Sequence, residues 1–277
     1  MTRAANEAQI ELWNGSSGDR WTQNQERLDV FLEPLDQAGL SLAAARAGER
    51  VVDVGCGCGA SSLALAQRVG PTGRVLGVDV SEPMLARARE RLAQQSWSSV
   101  ARADAQSYAI PFEADLIYSR FGVMFFDQPE LAFSNLRRAL HPSGRLAFVC
   151  WRPLEENPWF ALPIQAASAH IEIPMPLPHE PGPFSLAKEE RIREVLGAAG
   201  FKDVAVQAHR ESLILSRDGL ESAEQFAIQV GPLARFTADL DLTSQQRIGA
   251  SIRAALEPHA TGDVVALPAA VWLVLAR

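Results

Sequence analysis

The sequence predicts an α/β protein with a doubly wound parallel sheet, and three observations carry that prediction. Between residues 50 and 151, short β-branched runs alternate with amphipathic helical stretches, the pattern of βαβ units. One of those runs passes straight into a glycine-rich turn that opens a helix, Val51-Val52-Asp53-Val54-Gly55-Cys56-Gly57-Cys58-Gly59-Ala60. The following run ends on an acid, Asp79, 20 residues after Gly59.

The expected strands are Arg50–Val54, Arg74–Asp79, Ser99–Ala103, Ala114–Ser119 and Gly144–Trp151. Between them stand helices Ala60–Val69, Pro83–Gln94 and Pro129–Leu140. Ser81 and Asp127 each precede a proline by two residues, a helix-entry signal, and Leu131, Phe133, Leu136, Ala139 and Leu140 give the third helix an apolar stripe. Residues 1–47 read as an N-terminal helical segment. There Trp13 and Trp21 flank Gly15, Gly18 and Asp19, and serve equally well as part of a helix over a ligand or as anchors of a packed helix.

Residues 48–151 form the expected ligand-binding core, and composition shifts after Trp151. Segment 152–187 is rich in proline with one helical stretch, Phe160–Ile171, and a connection this long is usually a functional lid. Residues 188–277 read as the rest of the core: helix Lys188–Ala199 stopped by Gly200, a strand from Asp203 to Leu215, and a helical insertion at 216–262. That insertion holds helices Leu220–Phe236 and Thr243–Glu257. Val264–Ala276 is an apolar strand despite Pro268, which suits a bulge or a strand start.

At 277 residues the chain fits two small domains or one α/β domain with insertions, at about 150 residues per domain. Lys and Arg number 26 against 33 Asp and Glu, a net charge of -7, the wrong sign for neutralising a phosphate backbone; no nucleic-acid partner is expected. The N-terminus lacks a signal-peptide core, and no run approaches the roughly 18 apolar residues of a membrane span, so a cytoplasmic protein without a membrane partner is expected. Three cysteines and five scattered histidines make neither a disulfide framework nor a four-ligand zinc site, and no metal is expected.

The glycines of the turn allow positive φ and bring backbone N–H groups close to a ligand at a helix N-terminus. Asp79, at the next strand end, stands where an acid accepts hydrogen bonds from ribose hydroxyls, so the ligand is nucleotide-like. Gly55, Gly57 and Ala60 also satisfy a dinucleotide pattern. Asp53, two residues before Gly55, would repel a pyrophosphate and welcome a cation. Together Asp53, Asp79 and Asp104 suit a positively charged ligand without phosphate.

On these residues the sequence resembles the class I S-adenosylmethionine-dependent methyltransferases, closest to their ubiquinone-biosynthesis-like small-molecule group. Asp53 to Gly59 is similar to the family's first motif, Ser81-Glu82-Pro83-Met84-Leu85 to its post-acid helix start, and Ser119 to Phe126 occupies its fourth-strand motif. Leu140-His141-Pro142-Ser143-Gly144-Arg145 replaces the family's Leu-x-Pro-Gly-Gly turn with one glycine fewer. The resemblance implies a Rossmann-like, seven-stranded, mostly parallel sheet with an antiparallel last strand, and S-adenosyl-L-methionine as cofactor. It further implies that Gly55 and Gly57 contact the methionine part, Asp79 the ribose, Met84 and Ala105 the adenine ring, and Asp104 the adenine amino group. Asp53, Cys56, Val80 and Ser119 complete the expected cofactor-binding set. An NAD(P)-dependent oxidoreductase and a non-catalytic S-adenosylmethionine-binding protein are the alternatives.

Methyl transfer from a sulfonium expels a neutral leaving group, and positioning supplies most of the rate, so a catalytic triad is not required. A base is needed only where the acceptor stays protonated. His170 and His179, in the proline-rich segment, are candidate bases. Arg120 either orients an anionic acceptor or pairs with a local carboxylate. Trp159, Phe160, Ile164, Ile171, Ile173, Met175 and Phe184 are more apolar than a solvated loop requires and are expected to cover a small-molecule acceptor.

Overall fold

The computed structural model describes residues 6–174, 179–231, 233–237 and 240–277. Met175 therefore lies outside the described residues. Three helices lead the chain, α1 (Glu7–Asn14), α2 (Ser16–Gln23) and α3 (Gln25–Ala43). There follow β1 (Arg50–Val54), α4 (Ala60–Val69), β2 (Arg74–Asp79), α5 (Glu82–Leu92), β3 (Ser98–Arg102), β4 (Ala114–Arg120), α6 (Pro129–Ala139) and β5 (Leu140–Trp151). The second half holds α7 (Pro158–Ser168), α8 (Glu189–Ala198), β6 (Ala205–Ser216), α9 (Gly219–Gln229), α10 (Ala234–Thr237), α11 (Leu242–Leu256), the two-residue β7 (Ala260–Thr261) and β8 (Val264–Ala276).

Seven strands form one sheet in the order β3-β2-β1-β4-β5-β8-β6, with β7 added on β8. Strands β1 to β5 pair in parallel, and β8 runs antiparallel to both β5 and β6, as the sequence predicts. The order reverses between β1 and β4, the switch point where ligands bind beyond the carboxyl ends of such strands. Leu40 and Ala43 of α3 and Leu65, Ala66 and Val69 of α4 cover Val51, Val75, Leu116, Tyr118 and Ala147. The larger core holds Phe133 and Leu136 of α6 and Ile192, Val195 and Leu196 of α8, together with Ile117, Leu146 and Phe148. Among the described residues, no helix is long and apolar enough to cross a membrane.

Several boundaries move for identifiable reasons. β5 starts at Leu140 rather than Gly144, because Leu140 pairs with Ala114 across a register shift in β4. The helix expected over 220–236 divides into α9 and α10 at Gly231, whose N–H closes back on the Phe226 carbonyl at 2.8 Å. Pro268 marks neither a bulge nor a strand start. It sits inside β8 opposite Ser212, beyond the Trp151–Val271 pair where β5 ends, so only β6 bonds β8 there and the missing N–H costs no ladder bond.

Candidate functional site

A cavity of about 350 Å³ opens at the switch point. One wall is the glycine loop between β1 and α4. Gly55 adopts φ +68°, and a Cβ there would stand 2.6 Å from the Gly122 Cα, so the β1 and β4 loops touch backbone to backbone. Gly57 adopts φ +51°, with the Met84 side chain closing over it.

The loop's N–H groups turn inward. Gly55 and Cys56 donate to the Val78 carbonyl at 2.8 and 3.3 Å, and Gly57 donates to Asp79 Oδ2 at 2.8 Å. Asp79 also receives the Ser81 N–H on Oδ1 at 2.9 Å. Burial raises its carboxyl above the usual carboxylate range, while the N–H groups of Ser81, Gly57 and Val80 pull the other way. Its four acceptor positions are therefore partly used and partly open to the cavity. Asp104 accepts the Gln106 N–H at 3.0 Å and stands on the same cavity, with Val80, Met84, Ala105 and Cys56.

Two expected cofactor residues lie elsewhere. Asp53 does not line the cavity: it is fully buried behind the loop, where Oδ2 accepts the hydroxyls of Ser61 at 2.7 Å and Ser62 at 2.6 Å. It pins the start of α4, and burial pushes its carboxyl up to about 6 against the pull of both serines. Ser119 is also fully buried and off the cavity wall; its Oγ accepts the N–H groups of Gly122 and Val123 at 3.2 Å, capping the short turn Val123–Phe125. Neither candidate base reaches the cavity. His170 is exposed and its Nε2 meets Ser251 Oγ at 2.7 Å, tying α7 to α11 on the outside. His179 is exposed at φ +72°.

The N-terminal segment supplies a wall that the sequence analysis left open. Asn14 joins it to the loop after β2, donating to the Val80 carbonyl at 2.9 Å and accepting the Glu82 N–H at 3.0 Å, while Ser81 Oγ donates to the Trp13 carbonyl at 2.6 Å. Trp13 meets Phe125 edge-on, centroids 5.2 Å apart. Arg20 lines the same wall, and the only hydrogen bond of its guanidinium among the described residues is a 3.3 Å contact to Ser17 Oγ. Sequence reasoning missed both Asn14 and Arg20, since neither stands in a motif.

The remaining wall is aromatic. Phe121, held at φ +62°, stacks on Trp151 with centroids 4.2 Å apart and planes 6° off parallel. Trp151 leads to Trp159 at 5.0 Å, Trp159 to Phe31 at 5.1 Å, and Phe31 to Phe226 of α9 at 4.7 Å. Phe160 and Phe184 close the series, 5.0 Å apart. Trp159, Phe160, Ile164, Ile173 and Phe184 all line the cavity; Ile171 does not. The segment is anchored by Asn157, fully buried, which donates to the Arg152 and Pro153 carbonyls and accepts the Ala270 N–H. Asn157 directly before Pro158 was a legible helix-entry signal.

Arg120 is on the cavity wall and pairs with Asp36 of α3, Nη1 to Oδ1 at 3.6 Å, so the carboxylate partner expected for it is present.

Residues 51–144 match the family model described as a methyltransferase domain. The ubiquinone/menaquinone biosynthesis C-methyltransferase of Cupriavidus taiwanensis is 32% identical over 123 residues, 42% of this chain and 51% of that protein. The trans-aconitate 2-methyltransferase of Variovorax paradoxus is 43% identical over 136 residues, 49% of this chain and 48% of that one. This chain thus spans about half the length of these curated relatives. Phosphoethanolamine N-methyltransferase 2 of Haemonchus contortus, solved with S-adenosyl-L-methionine, has the same fold, with a TM-score of 0.57 and 19% identity over 97% of this chain and 59% of that one.

Proposed function

The chain belongs, through residues 51–144, to the class I S-adenosylmethionine-dependent methyltransferases, and from that premise we propose that it methylates a small, largely apolar acceptor by in-line displacement. One observation carries this reading: a glycine loop whose N–H groups are already bonded inward shares a cavity with two acids and an aromatic wall. Such a loop has little left to cradle a pyrophosphate. The inward bonding replaces the expected repulsion by Asp53, which is shielded from the cavity, as the argument against a dinucleotide. Beyond β5 the antiparallel β8, followed by β6, also stands where a second nucleotide-binding half would continue the parallel sheet.

The residues present fit S-adenosylmethionine. Asp79 keeps acceptor positions for two ribose hydroxyls, Met84 and Ala105 offer apolar faces for adenine, and Asp104 accepts its amino group. Arg20, whose guanidinium meets only Ser17 Oγ among the described residues, would take the methionine carboxylate. When bound, the cofactor supplies an electrophilic methyl on a cationic sulfur. The chain's own part is to hold the acceptor in line and exclude water, where orientation is worth about 7 to 11 kcal/mol. Segment 152–187 and the helices of 216–262 provide the apolar enclosure through Phe160, Phe184 and Phe226. The acidic balance of the chain supports a small-molecule acceptor over nucleic acid.

Calorimetric titration with S-adenosylmethionine, S-adenosylhomocysteine and NADH tests the reading. The first two should bind and NADH should not. Labelled-methyl transfer to a panel of apolar acceptors should then give product; NADH binding in their place, or cofactor binding with no transfer to any acceptor, overturns the proposal.

A further inference from the structure

The aromatic wall carries one charged group that nothing so far employs. Arg120, at the end of β4, lines the cavity with its side chain only 12% exposed, yet its guanidinium makes no hydrogen bond among the described residues. Its one ion-pair partner, Asp36, stands at 3.6 Å, beyond hydrogen-bond reach, and Asp36 Oδ1 has no hydrogen-bond partner either. A guanidinium offers five N–H donors in a planar fork, and a buried cation with all of them unused is costly. Burial opposes the Arg120 charge, and the nearby Asp36, Asp29 and Asp53 carboxylates outweigh it without satisfying its donors. Burial raises the Asp36 carboxyl, as expected of a carboxylate whose pairing is incomplete.

We propose that Arg120 is a specificity residue whose free donors receive the carboxylate of a flat, mostly apolar acceptor. The inference rests on the methyltransferase reading and names its substrate class. Phe121 and Trp151 supply the flat face, while Phe31, Trp159 and Phe226 extend the apolar lining of the same cavity. Among the described residues no histidine lines the cavity, and Asp29, the acid nearest Phe31 in sequence that does, is paired with Arg91 at 2.9 Å. An acceptor already ionised at neutral pH needs no base, and carboxylates are ionised there. A carboxylate oxygen lone pair forms the O–CH3 bond, the S–CH3 bond breaks with its pair remaining on sulfur, and no proton moves. Opposite charges are consumed, so Arg120 holds the ground state at least as tightly as the transition state. Its loss should therefore raise KM more than it lowers kcat.

The test uses the full chain saturated with S-adenosylhomocysteine, titrated with 2-naphthoate and with 2-naphthamide, equal in shape and different in charge. Naphthoate should bind at least about tenfold tighter, the worth of a charge-assisted bidentate contact. Arg120→Gln should abolish that preference and Arg120→Lys retain part of it, with S-adenosylhomocysteine affinity unchanged within about threefold. Because Arg120→Gln leaves Asp36 unpaired and could unfold the chain, Arg120→Gln combined with Asp36→Asn repeats the measurement in a neutral pocket. Equal binding of the two probes, no naphthoate binding, or a preference that survives the double variant overturns the inference while the methyltransferase reading stands. Failure of S-adenosylhomocysteine to bind the unaltered chain removes both.

Discussion

Two aspartates 26 positions apart were both expected to meet the cofactor, and their neighbours separate them. Asp79 faces the cavity with acceptor capacity left after two backbone bonds. Asp79→Ala should weaken S-adenosylhomocysteine binding by about 1.5 to 3 kcal/mol with little change in melting temperature, and unchanged affinity by calorimetry removes it from the site. Asp53 acts on stability. Its folded pKa of about 6 exceeds the ordinary 3.8, so the native state binds the proton more tightly than the unfolded chain does. Stability from this group is fully present below about pH 4 and is lost as pH rises through 6, by about 3 kcal/mol for a group this deeply buried. Urea unfolding of the parent chain and Asp53→Asn between pH 4 and 7 should show the variant gaining on the parent as pH rises. A gap that does not change with pH refutes this.

At the scale of elements, α7 and the segment after it divide their labour. Trp159 is buried among Trp151, Phe31 and Phe160, and truncating it should cost about 3 to 5 kcal/mol and disturb both ligands. Phe184 is half-buried, touches Phe160 edge-on and faces the cavity. Phe184→Ala should raise acceptor KM several-fold and leave S-adenosylhomocysteine affinity within a few-fold. Steady-state kinetics and melting curves on the two variants check the division, and identical behaviour of both refutes it.

The whole molecule is held together partly by Arg145 on β5, far from the cavity. Its guanidinium bonds Glu49 through both nitrogens at 2.8 and 2.9 Å and also donates to the Ala43 and Ala44 carbonyls at the end of α3. Burial works against the Glu49 charge, but the Arg145 and Arg46 hydrogen bonds outweigh it and hold the carboxyl below its usual range. Arg145→Met strands that acid and two helix-end carbonyls together, so it should cost about 3 kcal/mol in urea unfolding. S-adenosylhomocysteine affinity, measured where the variant stays folded, should not move; a parallel loss of affinity would show that the frame and the site are not separable.

The sequence by itself determined the sheet, the glycine loop and the acid at the end of β2. These depend on periodicity and on glycine chemistry within a few neighbouring residues, and β1 and β2 fall on the residues expected. For Arg120 it left two readings open, an anionic acceptor or a local carboxylate, and only packing brought Asp36 to it. It did not determine which way Asp53 and Ser119 point. Both sit at the loop, yet α4 and the β4 turn claim their oxygens first, and those partners are fixed only when the elements pack. Asn14 and Asn157 were illegible as site residues because their partners lie 66 residues away, or 113 in the case of Asn157 and Ala270, and Arg20 because its one side-chain bond among the described residues, to Ser17, gives no sign of the cavity it lines. His170 and His179 stand off the cavity wall for the converse reason: residence in the right segment does not set the side on which a helix or turn presents its ring. Tertiary structure decided each of these, because hydrogen-bond partners distant in the chain are chosen by packing and leave no local trace.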